Sequence, residues 1–390
     1  MKKIITFLLL FVSFTFTFAQ VQNTRTLSWG GVDRTYIEYT PSAYDSESPI
    51  PVMFCLHGLG DNMGNFHNSL GLNQFGENAN WIIITPQALD ATVPMMGSVG
   101  AAWNSGAGIE GLPIIGNVIL NEDVDDAGFL IAILDSLENN FSINTDSVFF
   151  MGFSMGGFMS NRMAIEHSDR IDGIASVSGT IGIAVMDEIP NTKVNTLHFH
   201  GTADETITYE NAGFNTGSFG TYSVGLGAEQ TVDYWILHNQ CSDQAIHTYF
   251  PDIKNDGLSF ERFLYENDED DVRTAFIKVN NGDHAWYYEP VNDIDYSNEI
   301  YKFFINDMDF PTENIIVKSD LINIYPNPAS DYVFVNQEFE MIELYDITGK
   351  IVLKEFNNNK INVSDLNTGL YILKINFEGK TLEQKLQIQK

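Results

Sequence analysis

Short apolar runs alternate with longer amphipathic segments through most of this chain. The apolar runs lie at 52–56, 81–85, 148–151, 174–177, 196–200 and 276–279. Between them, apolar residues recur every three or four positions at 124–137 and at 155–163, which predicts helices. Continuous apolar strands separated by amphipathic helices indicate a mainly parallel sheet with helices on both faces. A hairpin formed by strands 26–29 and 35–40 is predicted to precede this sheet.

The pattern changes after residue 310, where short alternating strands separated by turn residues predict a small all-β sandwich. Its strands are predicted at 332–335, 341–345, 351–356, 360–363, 370–377 and 381–389. The chain is therefore divided into a leader at 1–19, an α/β domain at 20–310, a linker at 311–318 and a β domain at 319–390.

The leader has the pattern of a secretory signal peptide. Lys2 and Lys3 precede an apolar run at 4–18, and the small residue Ala19 follows it. The run is too short, and too soon followed by polar sequence, to be a convincing membrane span. No later segment approaches the roughly 18 apolar residues that a spanning helix requires. We therefore expect an exported chain that is soluble after the leader is removed.

The chain is strongly acidic, and its net charge is negative. Removing Lys2 and Lys3 with the leader lowers the basic count from 20 to 18 against 52 acidic residues, and takes the net charge from −32 to −34. Such a field repels nucleic acid phosphates and anionic lipid, so neither is an expected partner. The acidic segment 121–126 begins a predicted helix, where carboxylates complement the helix dipole; calcium binding is the alternative.

The cysteines and histidines give no clear sign of a disulfide or a metal site. Cys55 and Cys241 could pair in an oxidising compartment, but Cys55 lies in an apolar run where a buried thiol is equally natural. His198 and His200 are expected to point to opposite faces of their strand or beyond the sheet, and no third ligand has recognisable spacing. No metal or other cofactor is expected.

One serine has the setting of a catalytic nucleophile. The strand at 148–151 runs into the sequence GFSMGG around Ser154 and then into a predicted helix, which is the nucleophile-elbow arrangement. Sites in such sheets form beyond the carboxyl ends of the strands. Asp204 and His284 follow the strands at 196–200 and 276–279, so the chain has the serine, acid, histidine order of an α/β-hydrolase triad.

Each of these residues has a chemical role. Ser154 Oγ is expected to attack an ester carbonyl while His284 takes its proton. Asp204 would hold the His284 tautomer and stabilise the imidazolium that forms. The developing alkoxide needs preorganised donors, which we assign to the backbone N–H groups of Leu59 and Met155.

Other interpretations remain open around this predicted site. The serine could simply cap the helix that follows it. Asp187 and Glu205 compete for the role of the acid, although neither lies directly at a strand end. His57 belongs to the predicted oxyanion loop and is a candidate pocket residue. Trp103 and Trp286 could also wall an acyl pocket, or could equally belong to the core.

Six segments resemble, in order, the secreted polyhydroxybutyrate depolymerase-like and feruloyl esterase-like group of α/β hydrolases. They are CLHGLGDN, VDDAGFLIAILDSL, FFMGFSMGGFMSNRMA, LHFHGTADETITY, DYWILHNQC and GDHAWY. The resemblance covers about 27–304 and implies a serine esterase without a cofactor, acting on short hydroxyalkanoate esters or on acetyl and feruloyl esters of plant polysaccharide. Two positions depart from the group: Leu59 replaces a frequent cysteine, and GDHAWY replaces GGHTWP.

The C-terminal region resembles the sorting domain recognised by the type IX secretion system. Three landmarks carry the resemblance within 323–390, namely YPNPASD, IELYDITGK and LNTGLYILKI. It implies export across an outer membrane, with cleavage of the tail on release or attachment to the cell surface. A glycan-binding β-sandwich is the alternative.

The sequence thus predicts a secreted serine carboxylic-ester hydrolase that forms an acyl-enzyme on Ser154. Its expected partners are an ester substrate, polysaccharide-linked or polyester, and the type IX secretion machinery. One alternative is a prolyl-oligopeptidase-type serine peptidase, which shares the serine elbow and a His-Gly-x-x-Asp acid loop. Another is a non-catalytic surface adhesin on a hydrolase scaffold, against which the presence of all three triad residues argues.

Overall fold

The computed structural model describes residues 21–95, 97–217 and 220–308, and parts of the C-terminal region. Those parts are 316–317, 324–325, 329–335, 341–346, 350–356, 360–377 and 380–390. The predicted leader lies outside the described residues. The chain divides into two compact units, Met1–Ile316 and Val317–Lys390. Within the described ranges, no helix combines the length and apolar character needed to cross a membrane.

The first unit alternates strands and helices, as the pattern predicts. Its strands are β1 (Val21–Trp29), β2 (Val32–Thr40), β3 (Ile50–Leu56), β4 (Ile82–Pro86), β5 (Asp90–Val93), β6 (Gly97–Ala101), β7 (Gly108–Leu112), β8 (Gly116–Ile119), β9 (Ile143–Phe153), β10 (Gly173–Val177), β11 (Asn195–Gly201), β12 (Gly213–Asn215), β13 (Thr221–Ser223), β14 (Ile246–Tyr249), β15 (Ser259–Asn267) and β16 (Val272–Asn280). Its α-helices are α1 (Met63–Ser69), α2 (Leu72–Ala79), α3 (Asp126–Asn140), α4 (Met155–Glu166), α5 (Ala228–Asn239) and α6 (Tyr296–Phe304).

One large sheet organises this unit. Its strand order runs β1-β2-β4-β3-β9-β10-β11-β16-β15-β14. The central ladders, from β4 through β3, β9, β10 and β11 to β16, are parallel. The flanking ladders of β1, β2 and β4 on one side, and of β16, β15 and β14 on the other, are antiparallel. The predicted mainly parallel α/β sheet is confirmed.

The central strands are apolar throughout because both faces of the sheet are covered. Successive residues of a strand point to opposite faces. Phe54 therefore stacks on Phe150 of the neighbouring strand, with ring centroids 4.4 Å apart, in the core cluster of one face. Met53 and Phe149 belong to the core cluster of the other face. All four side chains are buried.

The second unit is a small, antiparallel β structure. The boundary between the units falls within the short strand β17 (Ile316–Val317). The strands after it are β18 (Ile324–Tyr325), β19 (Tyr332–Val335), β20 (Met341–Tyr345), β21 (Ile351–Glu355), β22 (Lys360–Asn362), β23 (Gly369–Phe377) and β24 (Lys380–Ile388). They form one sheet in the order β18-β19-β22 and a second in the order β21-β20-β23-β24. Alternate residues such as Ile342, Leu344, Leu373 and Ile375 form a separate buried core, so the predicted all-β domain is confirmed.

Candidate active site

Ser154 occupies a strained turn between β9 and α4. Its backbone angles, φ 53° and ψ −120°, lie in a region that residues with a side chain rarely adopt. The Ser154 N–H donates to the carbonyl of Val177 at 2.8 Å, and its carbonyl accepts from the N–H groups of Gly157 and Phe158. The Ser154 side chain makes no capping hydrogen bond to the helix. The helix-cap interpretation is therefore not what the structure shows.

Glycines around the serine allow this turn to pack against its neighbours. A Cβ atom on Gly156 would lie 2.0 Å from the carbonyl oxygen of Leu56 in β3. A Cβ atom on Gly179, which follows β10, would lie 2.1 Å from the carbonyl oxygen of Ser154. Any side chain at either position would require the backbone to move. The serine is therefore fixed by direct contact between main chains.

The acid and the base meet at the carboxyl ends of β11 and β16. His284 Nδ1 lies 2.7 Å from Asp204 Oδ2. Because a carboxylate only accepts hydrogen bonds, Nδ1 carries the proton and Nε2 is left to act as the base. The Asp204 side chain is fully buried, whereas 16% of the His284 side chain is exposed. The pair thus has the arrangement expected of a base oriented by a buried carboxylate.

The surroundings of Asp204 stabilise its charged form. Its Oδ1 accepts hydrogen bonds from the N–H groups of Thr206 at 2.9 Å and Ile207 at 2.8 Å. Burial raises the pKa of the Asp204 carboxyl, but interactions with His284 and His200 and the backbone hydrogen bond outweigh burial. The net pKa lies below its ordinary value. Asp204 is thus an anion at neutral pH.

The base packs beside the nucleophile. The His284 ring lies 4.9 Å, centroid to centroid, from the ring of Phe153, the residue before the serine. Within the described chain, no hydrogen bond joins Ser154 Oγ to His284. Such contacts are often long without substrate and tighten in the Michaelis complex. The structure therefore brings all three predicted triad residues to one edge of the sheet, with the acid and base already in contact.

The predicted oxyanion loop lies against the elbow. A Cβ atom on Gly58 would be 3.5 Å from Ser154 Cβ, an ordinary contact. Met155 is the first residue of α4, where the leading N–H groups have no acceptor within the helix. In the described residues, neither the Met155 N–H nor the Leu59 N–H has a hydrogen-bond acceptor. Both predicted donors are therefore available to a ligand.

His57 and Trp103 form hydrogen bonds to the backbone of this loop. The N–H of Ala88 donates to His57 Nε2 at 3.2 Å, so the proton of this neutral ring is on Nδ1, which donates to the Gly58 carbonyl at 2.8 Å. Burial lowers the pKa of His57 and favours that neutral state. Trp103 Nε1 donates to the His57 carbonyl at 2.9 Å. Both side chains are fully buried, which corrects their prediction as pocket residues: neither offers surface to a substrate.

Trp286 lies two residues beyond the base and is only partly buried. Its ring meets Phe66 and Tyr296 edge-on, with centroids 6.2 and 6.0 Å away. One side of the indole is thus anchored in the core. A role for Trp286 in the pocket stays a prediction.

Two histidines behind the acid are placed differently from the prediction. His198 and His200 are two residues apart in β11, so their side chains project from the same face and not from opposite faces. His200 Nδ1 lies 3.3 Å from His198 Nε2. The competing acids are poorly placed by comparison, since Asp187 and Glu205 are exposed. In the described part of the chain, no group of three or more His, Cys, Asp or Glu side chains could hold a metal.

The remaining polar candidates have structural contacts. Asp125 is the N-cap of α3 and accepts from the N–H of Gly128 at 2.8 Å. Asp126 forms a buried ion pair with Arg34, at 2.7 Å. These contacts agree with the helix-start interpretation. Both cysteines, Cys55 and Cys241, are free thiols.

Sequence analysis missed two groups that shape the site. Gly179 follows β10, the strand that neighbours β9, and its lack of a side chain accommodates the serine turn. The turn from Asp204 to Ile207 donates two backbone N–H groups to the acid. In the sequence, only a glycine after an apolar strand and the Asp-x-x-Ile spacing indicate these two groups. Without the order of the strands in the sheet, neither pattern shows which residue the group contacts.

Comparison with known proteins agrees with this geometry. Residues 44–221 match the family model described as phospholipase/carboxylesterase, and residues 323–389 match that of the secretion system C-terminal sorting domain. A Nocardia uniformis subsp. tsuyamanensis protein assigned by name as an esterase, NocK, is 24% identical over 66% of this chain and 71% of its own length. Feruloyl esterase B of Piromyces equi is 26% identical over 48% of this chain.

The chain spans about a third of that second relative, 32% of its length. Among solved structures, an acetyl xylan esterase from Aspergillus awamori has a TM-score of 0.49 and 11% identity, and covers 72% of this chain and 98% of its own. The family matches agree with the sheet order, the serine elbow and the separate β unit. The chain therefore combines an α/β-hydrolase fold, of which residues 44–221 match the phospholipase/carboxylesterase family model, with a C-terminal secretion sorting domain.

Proposed function

We propose that this protein is a secreted serine esterase that cleaves carboxylic esters through an acyl-enzyme on Ser154. The observation that carries the proposal is the hydrogen bond between His284 and buried Asp204, formed at the sheet edge beside the strained serine turn. The match to an esterase family supports ester hydrolysis as the reaction.

The placement of these groups supports the following mechanism. Ser154 Oγ attacks the ester carbonyl as its proton passes to His284 Nε2, and the buried Asp204 carboxylate stabilises the imidazolium. The N–H groups of Leu59 and Met155 donate to the oxyanion. His284 then protonates the departing alcohol. A water that gives its proton to the same Nε2 attacks the acyl carbon, and the proton passes to Ser154 Oγ as the acyl C–O bond breaks and the acid leaves. Loss of one oxyanion donor typically costs about 10²- to 10³-fold in kcat.

The substrate class we favour is acetyl or feruloyl esters of plant polysaccharide, with short hydroxyalkanoate esters as the second possibility. The relatives support this order, since feruloyl esterases of Piromyces equi and Emericella nidulans are similar to this chain. The partly exposed Trp286 beside the base offers an aromatic surface for an aryl acyl group. Export is proposed to use the leader at 1–19 and then the sorting domain.

The test is hydrolysis of a substrate panel by the mature protein and by Ser154→Ala. The panel comprises p-nitrophenyl acetate and butyrate, methyl ferulate, acetylated xylan, hydroxybutyrate oligomers and a proline-linked peptide amide. Ser147→Ala is the matched control, because Ser147 lies within β9, the strand that leads into the serine turn. We expect ester turnover to fall at least about 10³-fold in Ser154→Ala and to be unchanged in Ser147→Ala.

Other outcomes select the alternatives. Turnover of the peptide amide, abolished by the same substitution, would favour the serine peptidase. A folded protein that turns over none of the panel, or whose turnover survives Ser154→Ala, would contradict the esterase and favour the adhesin. Among active esters, the acyl group with the highest kcat/KM decides between polysaccharide and polyester substrates.

A further inference from the structure

A chain of buried polar side chains lies directly behind the acid of the proposed triad. Ser176 in β10 and His198 in β11 are register partners in a parallel ladder. Ser176 Oγ lies 2.7 Å from His198 Nδ1, and His198 Nε2 lies 3.3 Å from His200 Nδ1. All three side chains are buried. Such groups need an explanation, since buried imidazoles are costly unless every ring nitrogen has a partner.

The donor and the acceptor of each hydrogen bond can be assigned by starting at the Ile207 carbonyl, where this row of side chains ends. His200 Nε2 lies 2.8 Å from the carbonyl oxygen of Ile207, which can only accept, so Nε2 carries a proton. The His200 Nδ1 atom of a neutral ring then accepts from His198 Nε2–H, and His198 Nδ1 accepts from the hydroxyl of Ser176. Burial lowers the pKa of both histidines, which favours the neutral rings that this assignment requires.

The end of this chain holds the turn that carries the acid. Ile207 is bound twice: its N–H donates to Asp204 Oδ1 at 2.8 Å, and its carbonyl accepts from His200 at 2.8 Å. His200 Nε2 also lies 3.5 Å from Asp204 Oδ2, the oxygen that contacts His284. The two carboxylate oxygens are thereby given different partners, one in the turn and one in the base.

We propose that His200 is a positioning residue for Asp204. Its Nε2–H fixes the 204–207 turn through the Ile207 carbonyl and so directs Asp204 Oδ2 toward His284 Nδ1. His198 and Ser176 act one step further away, because they fix which nitrogen of His200 is the donor. The inference rests on the proposed function, since it assigns His200 to the same site.

The expected effect is on the chemical step. A displacement of about 1 Å in a catalytic group can cost on the order of 10²-fold in rate. His200 is buried and contacts the turn, so its loss should change kcat without changing substrate affinity. For His200→Leu we expect kcat on p-nitrophenyl acetate to fall about 10- to 100-fold, with KM within about 2-fold.

Two further variants make the test specific. His200→Gln keeps a side-chain N–H that can reach the Ile207 carbonyl, and should restore kcat to within about 3-fold of the wild type. His247→Gln is the control, because His247 is a histidine with little exposed surface whose ring stacks on Phe263 in the flanking antiparallel strands. It should leave kcat unchanged. Should His200→Leu not fold, His200→Asn replaces it, since its shorter amide cannot span to Ile207.

A second readout does not depend on turnover. The His284 Nδ1 proton shared with Asp204 is expected to give a downfield proton resonance in the NMR spectrum of the full chain. The proposal requires this resonance to shift or vanish in His200→Leu and to persist in His200→Gln. It is overturned by wild-type kcat in His200→Leu, by equal kcat loss in the Leu and Gln variants, or by a resonance unchanged in His200→Leu.

The two proposals fail in different ways. If the wild type turns over no ester, the proposed function fails, and the resonance alone decides whether His200 positions Asp204. If the wild type is active and Ser154→Ala is inactive, a failure of the His200 variants to behave as stated rejects only the positioning role.

Discussion

At the scale of single residues, Asp204 is where the polar contacts of the site converge. Two backbone N–H groups bind one of its oxygens and the imidazole of His284 binds the other. The side chain has no exposed surface. A buried carboxylate with three hydrogen bonds is both charged and immobile, and those are the properties that a base needs in its orienting partner.

Asp204→Asn should therefore be far more damaging than its small change in shape suggests. The amide can donate to His284 Nδ1 and so stabilise the tautomer whose Nε2 already carries a proton, which cannot act as a base. We expect kcat on p-nitrophenyl acetate to fall about 10⁴-fold. Asp187→Asn, at an exposed carboxylate, is the control and should be unaffected. A loss smaller than about tenfold would point to Glu205 as the acid.

At the scale of elements, the serine turn depends on the strand beside it. Val177, the last residue of β10, accepts the Ser154 N–H, and Gly179 lies against the Ser154 carbonyl. The backbone angles of the serine are thus imposed by an element that is not adjacent in sequence. The strain of the turn is offset by packing elsewhere in the sheet.

Gly179→Ala tests this dependence. The new Cβ would lie 2.1 Å from the Ser154 carbonyl oxygen and 2.6 Å from the Phe158 nitrogen, so the turn must move. We expect a loss of about 1–3 kcal/mol in the free energy of unfolding, measured by urea titration, together with a lower kcat. Gly369→Ala is the control, because a Cβ there meets only one atom, at an ordinary 3.8 Å. Unchanged stability and kcat in Gly179→Ala would show that the contact is not restrictive.

The sequence predicted the central elements well because their pattern is local. Each continuous apolar run became a buried strand, and the serine motif lies at the predicted strand-to-helix turn. The hairpins β5–β6 and β7–β8, between β4 and α3, were not predicted, because their short glycine-containing strands have little apolar alternation. Tertiary contacts define one of them: the Gly60 N–H donates to the carbonyl of Ala101 in β6.

Site geometry was predictable only in part, for the same reason. Chain order and strand ends pointed to Asp204 and His284, and the structure brings these two side chains into contact. Burial is a property of the assembled fold, and it placed His57 and Trp103 behind the loop and not in a pocket. The same-face position of His198 and His200 follows from strand periodicity, and the expectation of opposite faces was wrong.

At the scale of the whole molecule, several histidines are buried in neutral form. Burial lowers the pKa of each member of this group, which comprises His57, His67, His198 and His200. The unfolded chain binds protons at these positions below a pH of about 6.5, while the folded chain binds them only at a lower pH. The free energy of unfolding therefore falls as the pH drops below that value. Three carboxyls, Asp126, Asp172 and Asp233, oppose this trend, because burial raises the pKa of each, that of Asp172 to about 6.

We predict that the protein is less stable at pH 5.5 than at pH 7.5, as measured by urea unfolding in constant salt. Each neutral histidine can contribute up to about 1.4 kcal/mol per pH unit below the unfolded pKa, and we expect the four together to outweigh the opposing carboxyls, among which Asp172 has the largest rise in pKa. The depressed pKa of Asp204 contributes only at lower pH, since its stabilising charge is lost below about pH 4.

One variant tests whether the buried histidines cause the pH dependence of the free energy of unfolding. His67→Gln, which removes one of the four, should reduce the pH dependence, whereas His238→Gln, at a histidine that is only partly buried, should leave it unchanged. Equal unfolding free energies at the two pH values would contradict the prediction.

The position of β16 has a consequence for how the molecule matures. This strand is the last of the large sheet's parallel strands in chain order, yet it pairs between β11 and β15 in the interior of that sheet. His284 lies four residues beyond the end of β16, so it can contact Asp204 only after this late segment of the chain has paired between β11 and β15. If Ser154 is the nucleophile, a covalent serine probe should therefore label only chains in which β16 has paired and folding is complete. The labelled fraction would then measure how much of the protein has folded.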